Sequence, residues 1–198
     1  SEGSILNFNE KSFTLSINLI TAQDWVLIKN SNLEGVHVIL KSSIISKDVK
    51  SYTSRFNRYG LTGCLNLYNS SFQNTRIIAD AINTACEDVI NIINSSGQIQ
   101  SLEVHNASAD GLDIDFSDLS INSLLVSNAL NDCADLSQGN YQIESGFLKD
   151  CGDKAISVGE KSFFLAKDIV INQANIGIAS KDSSDSTVDF LRIKKTNI

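Results

Sequence analysis

The sequence predicts an all-β fold, a right-handed parallel β-helix (solenoid) with rungs of about 22 residues. Three observations carry this. The chain is self-similar at a period of 22, apolar side chains alternate two apart within each period, and none of the 198 residues is proline. A period of 20–50 residues marks a solenoid or array. Alternation at two marks strands with one buried face. Proline removes a ladder N–H, so a stack of central strands excludes it.

The repeat is read from five stretches beginning at Asp88, Asp110, Asp132, Lys154 and Ile176, each 22 residues after the last. Two apolar columns run Ile90, Leu112, Ala134, Ile156, Ile178 and Ile92, Ile114, Leu136, Val158, Ser180. Two more run Ile82, Val104, Val126, Leu148, Val170 and Ile99, Ile121, Ile143, Leu165. A fifth holds small residues, Gly111, Cys133, Ala155 and Gly177. Such a unit cannot close a core alone, but copies stacked at about 4.8 Å can. The right-handed form follows from the usual crossover handedness. Asn106, Asn128, Asp150 and Asn172 form a further column, read as a stacked amide ladder that holds a bend.

Residues 1–198 are read as one domain, with irregular rungs and a loop over 1–80 and regular rungs over 81–190. In the irregular part, strands are expected at Phe13–Leu19, Trp25–Ile28, Val36–Leu40 and Thr62–Tyr68, with Trp25 over the open end of the core. Lys47–Arg58 is expected to be a surface loop. Thr75–Cys86 is the best helical candidate and is ambiguous. Thr187–Ile193 alternates in part. The opening Ser1-Glu2-Gly3-Ser4 reads as a frayed end or linker, and the chain is open to being part of a larger multidomain protein.

A net charge of −7 argues against nucleic acid as a partner, because that affinity comes from Lys and Arg on phosphates. No apolar run reaches the length of a membrane span, so no membrane insertion is expected. Four cysteines (Cys64, Cys86, Cys133, Cys151) show no zinc-ligand spacing and are read as small buried thiols. His37 and His105 read as ordinary surface histidines. Tyr68, Phe72, Phe116, Tyr141, Phe163 and Phe164 read as core or turn packing rather than a sugar-stacking ladder.

The acidic columns are the best candidate site. Asp88, Asp110 and Asp132 share one column, closed by Lys154; Asp113 and Asp135 share another, with Asp115 close by, and Lys181 follows Asp115, Ser137 and Gly159. Stacked carboxylates about 5 Å apart resist joint ionisation, so one pKa rises or a cation binds. Three readings stand side by side. The first is a solvated acidic strip that caps turn N–H groups. The second is a carboxylate pair that binds or cleaves carbohydrate, with Asp110 and Asp132 catalytic and Asp113, Asp135, Lys154 and Lys181 binding substrate. The third is calcium, the one cofactor considered, held by Asp113, Asp115 and Asp135.

The rungs from 101 to 185 resemble the right-handed parallel β-helix proteins of the pectate-lyase-like superfamily. Within it, partial motifs are similar to those of polygalacturonases. Ser108-Ala109-Asp110 meets that family's Asn-Thr-Asp, and Asn131-Asp132 meets its Asp-Asp. Asp153-Lys154-Ala155 meets Gly-His-Gly, and Ala179-Ser180-Lys181 meets Arg-Ile-Lys. Asp110, Asp132 and Lys181 keep the family's residue; Asn131 and Lys154 replace its second acid and its His. The resemblance implies a bacterial extracellular or cell-surface module, with the periplasm also open, whose partner is a polysaccharide or cell-surface glycan. It would act by binding or as a rigid scaffold; the alternative is a hydrolase or lyase using Asp110 and Asp132, with Lys181 pairing a uronate carboxylate.

Overall fold

The computed structural model describes residues 4–44, 56–57 and 59–196. It holds seventeen strands and no helix among these residues. In the first part of the chain lie β1 (Ile5–Asn9), β2 (Thr14–Leu19), β3 (Val26–Lys29), β4 (Asn32–Glu34), β5 (His37–Ser42), β6 (Gly63–Tyr68) and β7 (Ser71–Asp80). The regular part follows with β8 (Asp88–Ile93), β9 (Ser96–Ala107), β10 (Asp110–Asp115), β11 (Asp118–Ala129) and β12 (Ala134–Ser137). It continues through β13 (Asn140–Cys151), β14 (Lys154–Gly159), β15 (Phe163–Ala174), β16 (Ile176–Ser180) and β17 (Asp185–Thr196). The ambiguous stretch from Thr75 is thus strand through Asp80 and not helix. Most of the expected loop at Lys47–Arg58 lies outside the described residues.

Two sheets face each other. Sheet A runs β1-β2-β5-β7-β9-β11-β13-β15-β17, with β4 beside β7; sheet B runs β3-β6-β8-β10-β12-β14-β16. Every pairing is parallel except β1 with β2. The chain alternates between the sheets and makes a parallel β-solenoid of about eight turns, with rungs about 22 residues apart. Leu112 pairs with Ile90 and Ala134, and Ile114 with Ile92 and Leu136, as the period requires. These columns form one continuous apolar core between the sheets.

From β9 onward the sheet A strands are twelve residues long and turn a corner midway. In β9 the buried positions are Ile99, Leu102, Val104 and Ala107, so two outward residues in succession, Gln100 and Ser101, break the alternation and bend the strand. The second corner needs a left-handed residue, supplied by Asn106, Asn128 and Asp150. Asn tolerates that conformation better than most residues. Asn128 Nδ2 donates to Asn106 Oδ1 at 3.2 Å, and Asn106 Nδ2 to Asp80 Oδ1 at 2.8 Å.

The period slips by one residue between β14 and β15. Glu160 and Lys161 both have positive φ and lengthen that turn, so Lys149 pairs with Asn172 and Ile143 with Ala166. This corrects two expected columns. Leu148 continues into Ile171 rather than Val170, and Leu165 lies outside while Ala166 takes the core position. Gln173, not Asn172, holds the left-handed corner. At the other end Ala79, not Ile82, pairs with Val104, because the rung between β7 and β9 is longer than 22 residues.

The cysteines are not thiols. Cys64–Cys86 and Cys133–Cys151 are disulfides with Cα–Cα distances of 5.4 Å. Cys64 and Cys133 each sit in a sheet B strand or at its mouth, in the inward small column. That column admits little: a Cβ on Gly111 would lie 2.6 Å from Val126 Cγ1 and 2.7 Å from the Cys133 carbonyl oxygen. Each partner lies in the segment that enters the next sheet B strand, so both bridges join neighbouring rungs at the same corner.

A buried serine ladder lines the opposite corner. The Ser70 N–H donates to Ser95 Oγ, and the Ser95 N–H to Ser117 Oγ, both at 3.0 Å. Each serine hydroxyl in turn donates to the carbonyl two residues earlier, as Ser117 does to Asp115 at 2.7 Å. The next place is Gly139. There the Tyr141 hydroxyl fills the serine's role, donating to the Ser137 carbonyl at 2.6 Å. A Cβ on Gly139 would come within 2.5 Å of that hydroxyl. Tyr141→Phe is therefore expected to lower the unfolding free energy by about 1–3 kcal/mol, the cost of a buried group losing its hydrogen bond, measured by chemical denaturation.

Candidate functional site

The start of each sheet B strand carries the acidic columns. Asp110 pairs with Asp88 across the β8–β10 ladder, and Asp113 pairs with Asn91 and with Asp135. A bend at Gly111–Leu112, both buried, brings Asp110 and Asp113 toward the same outer side of the sheet.

Asp88, Asp110 and Asp132 are buried, with 1%, 6% and 3% exposure, so this column is not a solvated strip. The Asp110 and Asp132 carboxylates tie rung to rung. Asp110 Oδ1 accepts from the Asp132 N–H at 2.8 Å and from Asn131 Nδ2 at 2.7 Å. Asp132 Oδ1 accepts from the Lys154 N–H at 2.9 Å. Lys154 Nζ lies 3.4 Å from Asp132 and also pairs with Asp153. Burial raises the Asp132 pKa, with Lys154 pulling against it. Hydrogen bonding to Asp153, followed by the charge of Asp132, lifts the Lys154 pKa.

The second column is longer than the repeat alone indicates. Asn66, Asn91, Asp113, Asp135 and Ser157 stand side by side on successive rungs. Asn91 Nδ2 donates to Asp113 Oδ2 at 3.1 Å and reaches Asp115 Oδ2 at 3.5 Å. Asn66 uses its amide on the Gly63 backbone and the Val26 carbonyl. Asp113 is pushed up to about 9, first by desolvation and then by Asp88, Asp115, Asp135 and Asp110. Asp135 is also raised by burial, with the Lys181 charge opposing. Near neutral pH Asp113 therefore holds its proton, which relieves the repulsion in the column.

The residues singled out in the sequence are thus brought together: Asp110, Asp132 and Lys154 in one ladder, Asp113, Asp115 and Asp135 beside it, and Lys181 within electrostatic reach. Among the described residues, no group of three or more His, Cys, Asp or Glu side chains is arranged to hold a metal ion. Asn66 is hidden because the rung between Gly63 and Asp88 is longer than the period, whereas Asn91 and Ser157 keep the 22-residue spacing but are amide and hydroxyl members of an otherwise acidic column. Of the aromatics, Phe72, Tyr141 and Phe164 are core, whereas Tyr68, Phe116 and Phe163 are exposed. His105 Nδ1 lies 2.7 Å from Ser127 Oγ on the outer face of sheet A.

No helix among the described residues is long and apolar enough to cross a membrane. No protein-family model matches the chain, and neither the curated proteins nor the solved structures give a match.

Proposed function

We propose that this chain is a polysaccharide-associated β-solenoid module of an extracellular or cell-surface protein, acting as a rigid scaffold or by binding carbohydrate. The observation that carries the reading is the structural employment of the acidic column. Asp110 and Asp132 are buried and spend their oxygens on the backbone of the next rung, as scaffold residues do. Two disulfides support an oxidising compartment, such as the cell exterior or the periplasm, since such bonds persist there. The pectate-lyase-like superfamily is the likeness behind the carbohydrate assignment, through Asp110-Gly111-Leu112-Asp113 and its repeats.

A hydrolase or lyase is the second reading. It uses Asp110 and Asp132, and the raised pKa of Asp132 is the kind that acid–base catalysis uses. One screen on neutral and uronate polysaccharides, run with Asp110→Ala and Asp132→Ala, separates the two. The scaffold or binding reading expects no turnover by the wild type and a lowered melting temperature for both variants. Turnover that either substitution abolishes, with the fold kept, would establish the enzyme instead. Calcium enters the same experiment: a melting temperature unmoved by calcium removes it as a ligand of Asp113, Asp115 and Asp135.

A further inference from the structure

The one-residue slip at Glu160–Lys161 has an effect on the outer face of sheet A. It turns Phe163 and Leu165 outward, to 59% and 43% exposure, at positions where the neighbouring rungs carry Asn140 and Gln142. Core packing does not require these apolar side chains there.

They border a depression. Ser120 pairs with Gln98 on one side and Gln142 on the other, so a short side chain stands between two long ones. A groove of about 220 Å³ lies here, bounded by Gln98, Ser120, Asn122, Gln142, Leu165 and Lys167 among others. A second, of about 260 Å³, continues it across Asn140, Phe163 and Thr187 and shares Gln142 and Leu165 with the first. Together they cross five rungs, from β9 to β17, along the solenoid axis.

The chemistry of the lining is specific. Four amides, Gln98, Asn122, Asn140 and Gln142, stand along it with the carboxylates Glu144 and Asp185, and two of the amides are held in place: Gln98 Nε2 donates to Asn122 Oδ1, and Asn122 Nδ2 to Gln100 Oε1, both at 3.0 Å. The one cation in the grooves, Lys167, is neutralised by Glu144 at 2.8 Å. Amides and hydroxyls offer both donors and acceptors to sugar hydroxyls. An exposed ring and an aliphatic side chain offer an apolar face to sugar C–H groups. A wall without net cationic charge has nothing to pair with a uronate.

We infer that this groove binds an unbranched, uncharged glycan laid along the solenoid axis, with Gln98, Asn122 and Gln142 meeting its hydroxyls and Phe163 and Leu165 its apolar face. This rests on the carbohydrate reading above and moves the contact from the acidic columns of sheet B to sheet A. The rungs repeat at about 4.8 Å, comparable to the length of one pyranose unit, so successive sugars meet equivalent positions.

The test is titration of the purified chain with cellohexaose, xylohexaose, mannohexaose and, as the anionic probe, hexagalacturonate, followed by calorimetry and amide chemical shifts. At least one neutral probe should bind, with shifts centred on β11, β13 and β15. Gln142→Ala and Phe163→Ala should each weaken it about tenfold, the loss of one hydrogen bond or one apolar contact. Ser120→Arg, which fills the depression, should abolish it. All three are surface changes, and unaltered melting temperatures would verify the fold. Neutral-glycan binding that survives Ser120→Arg, or binding of hexagalacturonate alone with shifts on sheet B, overturns the groove and leaves the carbohydrate reading standing. Binding of none of the probes overturns both.

Discussion

Reduction of the two disulfides is expected to lower the stability of this chain by about 3 kcal/mol for each bridge. The bridges close loops of 22 and 18 residues, and loops of that size confine the unfolded chain by about this amount. Both join neighbouring rungs at one corner, beside the hydrogen bonds of Asp110 and Asp132 to the following rung. The measurement is thermal and denaturant unfolding with and without a strong reductant, compared with Cys64→Ser/Cys86→Ser and Cys133→Ser/Cys151→Ser. Each double variant should lose about half the total effect. The Cys133–Cys151 pair should be the more damaging to disrupt, because both its sulfurs lie in the regular core, at 0% and 5% exposure. Equal stability in reduced and oxidised protein would count against a stabilising role for either bridge.

Asp113 gives the second large effect, one of pH. Its folded pKa is raised from 3.8 to about 9 by burial and by four neighbouring carboxylates. In the unfolded chain the same group ionises at its ordinary value. Between these values the folded state binds more protons than the unfolded state, so stability falls as pH rises. The fall has an upper limit of about 1.4 kcal/mol per pH unit for one group. Asp113→Asn keeps a neutral side chain of the same shape, can still meet Asn91, and removes the titration. It should match the wild type near pH 4 and exceed it progressively toward pH 9, as followed by urea denaturation at several pH values. Parallel curves for the two proteins would show that Asp113 does not hold its proton in the fold. Asp110→Asn should behave differently. Asp110 accepts two hydrogen bonds at one oxygen, so an amide there must keep its carbonyl toward Asp132 and Asn131.

Which features the sequence could reveal depended on whether the period held. From Asp88 to Val158 the spacing is constant, and Ile90, Leu112, Ala134 and Ile156 align in the structure as they do on paper. Alignment by a fixed period cannot detect a turn that gains a residue. At Glu160–Lys161 one extra residue exchanges inside for outside, so Leu165 was placed in the core when Ala166 belongs there. The same limit hid Asn66, which stands 25 residues before Asn91. The acidic column was visible as a column, but its burial was not. The period marks which residues stack, not how far neighbouring rungs cover them, and Asp88, Asp110 and Asp132 are 1%, 6% and 3% exposed. The cysteine pairing is not visible in the period either: the bridges span 22 and 18 residues, and in the lengthened rung that pairs Gly63 with Asp88 a separation of 22 is not one rung spacing.

The two bridges also determine how the rod responds to force. A chain pulled from its ends normally surrenders every residue to the extension. Here the segments between Cys64 and Cys86 and between Cys133 and Cys151 are short-circuited by covalent bonds and never carry load. Tension passes through the sulfur atoms instead. The segment from Cys86 to Cys133, which contains the Asp88–Asp110–Asp132 column, is therefore anchored at both its ends. Outer rungs and this middle section can be drawn out, while the two looped segments add no length until the bridges are reduced.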